Sequence, residues 1–281
     1  MTEPKIHFIM SDNRELSDDK NLYHNLCTFA NYEACKHFGY EFNYYIPYLN
    51  SRIKHPANIL HNCIGTQNNI RHVSWSKILI CLHHLKNNNC DYLIYCDSDC
   101  FLIKQKHILD HLKNYNFNSD AFFVNDIPWH HPDMPCGGFF VLKNNPNTIK
   151  FLNDWWLHPA GYLDTGHPWE QQALRNILKN HSIMVEPLPY RHFVSAARQF
   201  SSWKDCEDIP PHQIHNGLCY HMAKCFFGFD PRKHLNAIKE LISKHYNLDD
   251  FNVNEYMKYV QKFDTDQDDK ELIDKITIRL I

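Results

Sequence analysis

Residues 91–103 read Asp-Tyr-Leu-Ile-Tyr-Cys-Asp-Ser-Asp-Cys-Phe-Leu-Ile, and no other stretch constrains the fold as tightly. Tyr92 to Cys96 is a short run of aromatic and aliphatic residues, the signature of a buried strand. It ends in Asp97-Ser98-Asp99, and a second apolar run begins at once. Two carboxylates one residue apart at the end of a buried strand repel each other and lose hydration together, so they require a cation. Carboxylate oxygens suit a hard divalent ion such as Mn²⁺ or Mg²⁺. The carboxyl ends of strands are also where open α/β sheets gather their ligands. Asp-X-Asp is common in solvated turns, and the chain holds its own contrast at 264–268, Asp-Thr-Asp-Gln-Asp, richer in acid but with no apolar strand expected before it. That segment also fails as a calcium loop, because Asp269 and Lys275 stand where the turn glycine and the bidentate glutamate belong. It reads as acidic surface.

The rest of the chain alternates strand and helix. Residues 5–10 form a strand pattern, followed by the polar loop Ser11-Asp12-Asn13-Arg14. Leu22, Leu26, Phe29, Ala30, Ala34 and Phe38 recur at helical spacing, with Gly39 as the C-terminal cap. Residues 41–49 are strand-like. Trp75, Ile78, Leu79, Leu82 and Leu85 mark a second helix, with Ser74 as its N-cap. Further strands are expected at 121–124, 139–142 and 182–188. Helices are expected around Ile149–Trp156 and from Pro168 onward. Residues 231–281 read as amphipathic helix and acidic surface. This order predicts an α/β fold, one mixed sheet flanked by helices over residues 1–230, with 231–281 as a helical extension packed on the same domain.

Composition removes several classes of function. The net charge of −3 offers no basic field for nucleic acid. No run of apolar residues is long enough to span a bilayer, and the first ten residues lack the layout of a signal peptide. The eleven cysteines form no CxxC pair and several sit in apolar runs, which favours reduced core thiols and a cytoplasmic setting over a disulfide scaffold. A homodimer is left open.

Other candidate residues are weaker one by one. His221, after a short apolar run, is a candidate third metal ligand, with His215 as its rival. Glu170 and Gln171 lie at a helix N-terminus, which suits anionic or hydroxyl-rich ligands or simply complements the helix dipole. Gly137 and Gly138, expected just before a strand, suit close backbone approach to a ligand or to another segment. Asp126 and Asp133 share a loop dense in Pro and His, where they can bind sugar hydroxyls or face solvent.

Taken in order, six segments resemble glycosyltransferase family 34, the galactosyl, xylosyl and mannosyl transferases. The family's Asn-x-x-x-Tyr-x-x-x-His-Gly-Tyr segment is similar to Tyr32, His37, Phe38, Gly39 and Tyr40 here. Its Trp-x-Lys-Ile helix start resembles Trp75-Ser76-Lys77-Ile78, and its Asp-x-Asp strand resembles 91–103. Its Gly-x-Phe strand and Trp-bearing helix resemble residues 136–156. Its Asp-Gln-x-Ala-Leu helix resembles Glu170-Gln171-Gln172-Ala173-Leu174, and its His-Phe-Ala-Gly-Cys segment resembles His221-Met222-Ala223-Lys224-Cys225.

The resemblance implies a GT-A (Rossmann-like) fold and retaining transfer of a hexose or pentose from a nucleoside-diphosphate sugar, a UDP-sugar first among the donors, to a glycan or other hydroxyl acceptor. It implies Mn²⁺ or Mg²⁺ held by Asp97, Asp99 and His221, with Asp97 sharing the ion or holding the ribose. Gln171 then lies near the reacting sugar and Glu170 on its hydroxyls, with Lys77 or Lys224 adding positive charge. Asn13, Arg14, Lys77, Asp97, Ser98 and Gly138 form the expected nucleotide and diphosphate contacts. Lys224 replaces the family's Gly and Phe226 replaces its Lys. A catalytically inactive glycan- or nucleotide-binding protein of the same fold is therefore the alternative. A sugar-phosphate nucleotidylyltransferase is disfavoured, because the N-terminal loop is not glycine-rich and basic.

Overall fold

The computed structural model describes residues 3–48, 73–104, 106–125, 135–158, 169–188, 193–195, 218–221 and 235–264. Expectations that fall on Pro168, His215, Lys224, Asp126, Asp133 and the 265–268 acidic stretch lie outside these residues.

The chain opens β1 (Ile6–Ser11), α1 (Tyr23–Phe38), β2 (Glu41–Tyr48), α2 (Ser76–Asn87), β3 (Tyr92–Asp97). Gly39 closes α1 at φ 74°, a left-handed conformation that a side chain would strain. The next elements are β4 (Cys100–Leu102), α3 (Ile108–Leu112), β5 (Ala121–Asn125), β6 (Pro135–Lys143), α4 (Pro146–Trp156), α5 (Trp169–Leu178) and β7 (Val185–Leu188). The last described elements are β8 (Phe193–Ser195), β9 (Cys219–His221), α6 (Leu235–Ser243), α7 (Asn254–Met257) and β10 (Val260–Asp264).

Seven strands form one sheet in the order β10-β2-β1-β3-β6-β5-β7. β6 runs against its neighbours β3 and β5, and the other pairs are parallel. Alternation along each strand divides the core. Phe8, Met10, Ile94 and Cys96 pack on one face with α1 and α6. Ile9, Leu93 and Tyr95 pack on the other with α2, α4 and α5. From β1 the chain crosses to β2 on one side, and β3 then joins β1 on the other. The crevice beyond Ser11 and Asp97, which are paired in register, is therefore the switch point of the sheet.

Three expectations change. Ser74 does not cap α2. It lies inside a 3₁₀ turn, Val73–Trp75, that starts the helix one turn early, and no side-chain cap is made. Gly137 and Gly138 lie within β6, because its ladder with β5 continues back to the Asn125–Pro135 pair. The C-terminal region adds β10 to the sheet edge, where Phe263 is buried against Tyr45 and His83. The eight described cysteines are buried and free, as the sequence suggests. Among the described residues no helix is long and apolar enough to cross a membrane.

Candidate functional site

The switch point is built from four pieces of chain. β3 carries Asp97 to the sheet edge, and the turn after it reverses into β4. β4 pairs antiparallel with β9, so that Cys100 stands opposite His221 in a small second sheet, β4-β9-β8. This pairing carries the His221 Nε2 atom to 3.6 Å from Asp99 Oδ1 across 121 residues of intervening chain. Their side chains are 18% and 25% exposed, open enough for a ligand to reach them. The Cys100 thiol is close by, with Sγ 3.6 Å from Asp99 Oδ1. A carboxylate oxygen and an imidazole nitrogen 3.6 Å apart can share one divalent cation after closing by roughly half an ångström, because neighbouring donors with bonds of about 2.0–2.2 Å sit about 2.8–3.1 Å apart around an octahedral ion. The oxygen and nitrogen donors fit Mn²⁺, and the thiol adds affinity for softer ions.

Asn31 fixes this turn from below. Its Nδ2 donates to the Cys100 carbonyl at 2.8 Å and its Oδ1 accepts from the Leu102 N–H at 2.8 Å, both buried. A buried amide in α1 thus sets the path of β4, a role the sequence does not reveal.

Asp97 is held by other partners. Lys77 Nζ approaches its oxygens at 2.9 and 3.1 Å, and the Tyr95 hydroxyl donates to Oδ1 at 2.9 Å. Lys77 also binds Glu170 Oε1 at 2.9 Å and donates to the Gly137 carbonyl at 3.0 Å. A side chain at Gly137 would press on this contact, since a Cβ there would lie 3.1 Å from Glu170 Oε1. Burial alone would lower the Lys77 pKa, but Asp97 and Glu170 outweigh it and hold the ammonium well above its ordinary range. Burial works to raise the Glu170 carboxyl. Lys77, with a hydrogen bond from Ser74, prevails and keeps it low. For Asp97, burial seconded by Asp99 and Glu170 prevails over Lys77 and lifts the carboxyl. The Trp155 indole donates to the Glu170 carbonyl at 2.9 Å, so α4 sets the position of the α5 N-terminus. Gln171 follows in the same turn, its Oε1 near the Gly137 backbone.

On the β1 side, Asp12 is the residue that the sequence reading missed. It is buried. Its Oδ1 accepts from the Arg14 backbone N–H and from Arg14 Nε, both at 2.8 Å, and its Oδ2 pairs with Arg14 Nη2 and accepts from the Ser98 hydroxyl. Arg14 also donates to Tyr23 Oη at 2.8 Å and to Ser98 Oγ at 3.1 Å. Burial tends to raise the Asp12 carboxyl, and Arg14 reverses this and holds it below its usual range. Arg14 thus spends most of its donors bracing the Asp97–Asp99 turn against β1, while Asn13 is exposed beside it. The signal was a carboxylate two residues before an arginine at a strand end, a pattern that also fits an ordinary solvated loop. Gly138 contributes its carbonyl, 3.7 Å from Cys100 Sγ.

The structure therefore gathers Arg14, Lys77, Asp97, Ser98, Asp99, Gly138, Glu170, Gln171 and His221 around one sheet edge. Asp99 and His221 converge directly, whereas Asp97 is engaged by Lys77.

The comparisons with known proteins agree with this architecture. No curated protein matches the sequence. Among solved structures, a glycosyltransferase involved in the glycosylation of the major capsid of PBCV-1 superposes with a TM-score of 0.60 at 13% identity, covering 84% of this chain and 100% of that one. The glycosyltransferase GlyE of Streptococcus pneumoniae TIGR4 superposes with a TM-score of 0.50 at 12% identity, covering 87% of this chain and 65% of that one. At such identities the likeness is one of fold, and it bears out the GT-A type of mixed sheet. The family model for nucleotide-diphospho-sugar transferases matches residues 30–226, a span that runs from the middle of α1 through β9 and holds every site segment but the loop after β1. The chain thus belongs to the nucleotide-diphospho-sugar transferases, in keeping with its resemblance to glycosyltransferase family 34, and is a glycosyltransferase.

Proposed function

We propose that the chain transfers a hexose or pentose from a UDP-sugar to a glycan hydroxyl, with retention at the anomeric carbon and dependence on Mn²⁺ or Mg²⁺. The observation that carries this reading is the 3.6 Å approach of Asp99 Oδ1 to His221 Nε2 at the switch point of the sheet. Asp99 and His221 would hold the cation, which when bound supplies positive charge against the departing diphosphate. Lys77 keeps a buried ammonium beside that place and aligns Asp97 and Glu170 before the donor arrives. Glu170 then serves the sugar hydroxyls, for which its Oε2, buried and without a hydrogen bond among the described residues, is an available acceptor. Gln171 carries a neutral amide, too weak a nucleophile for a covalent intermediate. The favoured course is therefore same-face attack. The acceptor oxygen bonds to C1 as the C1–O bond to the diphosphate breaks, and the acceptor's proton passes to the leaving phosphate oxygen.

The test is turnover of UDP- and GDP-sugars with Mn²⁺, with and without EDTA, and NMR of the product. Transfer with an unchanged anomeric configuration is expected. It should be lost with EDTA and in Asp99→Ala, with the melting temperature of the variant kept. Donor binding without turnover would favour the inactive binding protein, and inversion would remove the same-face mechanism.

A further inference from the structure

A second cluster of metal-ligating side chains lies at the other end of the sheet. His7 is the second residue of β1, His84 lies in the last turn of α2, and Cys90 stands two residues before β3. All three are buried, and each offers a ligand atom within 4.8 Å of the others. His7 Nδ1 and His84 Nε2 face each other at 2.7 Å. The far nitrogen of His84 is hydrogen-bonded, and that of His7 lies near a carboxylate without a hydrogen bond. His84 Nδ1 lies 2.8 Å from Tyr45 Oη, and His7 Nε2 lies 3.2 Å from Glu41 Oε2.

This is how metal-bound histidines are arranged, with the second nitrogen turned to a carboxylate or other polar group that fixes tautomer and ring plane. At 2.7 Å one ring donates its N–H to the other. For both facing nitrogens to turn lone pairs on a cation, that hydrogen must move to a far nitrogen, where Tyr45 Oη and Glu41 Oε2 lie beside the two rings to receive it. The Cys90 sulfur beside the pair completes a nitrogen, nitrogen, sulfur donor set that selects borderline and soft cations over Mn²⁺ or Mg²⁺.

We propose that His7, His84 and Cys90 form a binding site for a thiophilic divalent cation of the zinc type, with Glu41 and Tyr45 as its outer partners. It is separate from the transferase site and does not depend on the reading of that site. On binding, the Cys90 thiol gives its proton to solvent and forms the metal–sulfur bond. Both imidazoles stay neutral with one N–H each, so one proton is released per ion. The facing nitrogens move apart by somewhat under 1 Å, because ligands with bonds of about 2.0–2.3 Å around a tetrahedral ion sit about 3.3–3.7 Å from one another. The ion then ties β1, α2 and the turn into β3 at one point.

The test is titration of the full chain, first stripped with chelator, with Co²⁺ alone. The expected result is a thiolate-to-cobalt charge-transfer band in the near ultraviolet. It should saturate at one thiolate-bound ion per chain, with release of one proton, and Zn²⁺ should abolish it. Cys90→Ser should remove the band, and His84→Gln should shift or weaken it. Cys100→Ser, which alters the thiol beside Asp99, should leave it intact. Absence of the band from the unmodified chain overturns the proposal, as does a band that survives Cys90→Ser or vanishes in Cys100→Ser. The first of these outcomes needs no variant to fold.

Discussion

At the scale of single residues, Lys77 decides the charge state of the site. Its buried ammonium is shared by Asp97 and Glu170, and removing it leaves two carboxylates facing each other in a poorly hydrated space. Breaking a buried ion pair from one side costs about 3–5 kcal/mol. Lys77→Met, close in length and apolar, is therefore expected to lower stability by about that amount at pH 7. The penalty should depend on pH. In the natural chain Glu170 is held below its ordinary pKa, so its share of stability is present above pH 4.5 and is lost only as pH falls through the lower folded value. Without Lys77 the folded pKa of the pair rises. The protonated form then favours the folded chain, and the penalty shrinks as pH is lowered from 7 toward 5. Urea melts of both proteins across that range measure the difference. A penalty for Lys77→Met that stays constant between pH 7 and 5 would show that the ammonium does not control these carboxylates.

Between elements, the structure rests on polar side chains that tie loops to helices, and these are the features that the sequence conceals. Asn145 caps α4 by accepting from the Thr148 N–H at 2.9 Å, and its amide donates to Asp120 at 2.8 Å. Asp120 also receives the Met184 N–H at 3.2 Å, so one buried carboxylate links α4, β5 and the approach to β7. Asn145→Ala removes the cap and one partner of Asp120. It should cost about 1–3 kcal/mol by denaturant unfolding, and Asn145→Asp, which keeps the cap but sets two carboxylates together, should not restore it. The β3 strand and its acidic end were legible because an uninterrupted apolar run admits few alternatives. So were α1 with its Gly39 cap, and the βαβ opening. β4, β8 and β9 have three residues each, too few for any period to appear, so the only signal in the residues themselves was the short apolar run before His221, which the resemblance then strengthened. β10 was hidden by its sequence, Val-Gln-Lys-Phe-Asp, in which Gln261 and Lys262 are exposed, as suits an edge strand. Ser74 looked like a cap because the periodic residues begin just after it. The structure uses it instead to hold Glu170.

Over the whole molecule, charge and topology set the order of events at the site. The chain is net negative, so no general field draws in an anionic donor. At the switch point Asp12, Asp97, Asp99 and Glu170 face Arg14 and Lys77. Among these described side chains, carboxylates outnumber fixed cations by two. Arg14 and Lys77 are each already engaged by carboxylates, which leaves the partly exposed Asp99 as the local source of repulsion toward a diphosphate. On the proposed reading, the cation must therefore arrive with the nucleotide or before it. Asp99→Asn separates attraction from repulsion, because it weakens the cation's hold and also removes one negative charge. With Mn²⁺ present, the variant should bind UDP at least about tenfold more weakly than the natural chain, a loss of about 1.4 kcal/mol or more. In EDTA the ranking should invert, and the variant should bind UDP as tightly as the natural chain or more so. The gap should narrow as salt screens the exposed carboxylate. Calorimetric titration with UDP under the two conditions reads both affinities. If the variant is the weaker binder by the same factor with and without Mn²⁺, Asp99 contacts the nucleotide directly and the cation is not its partner.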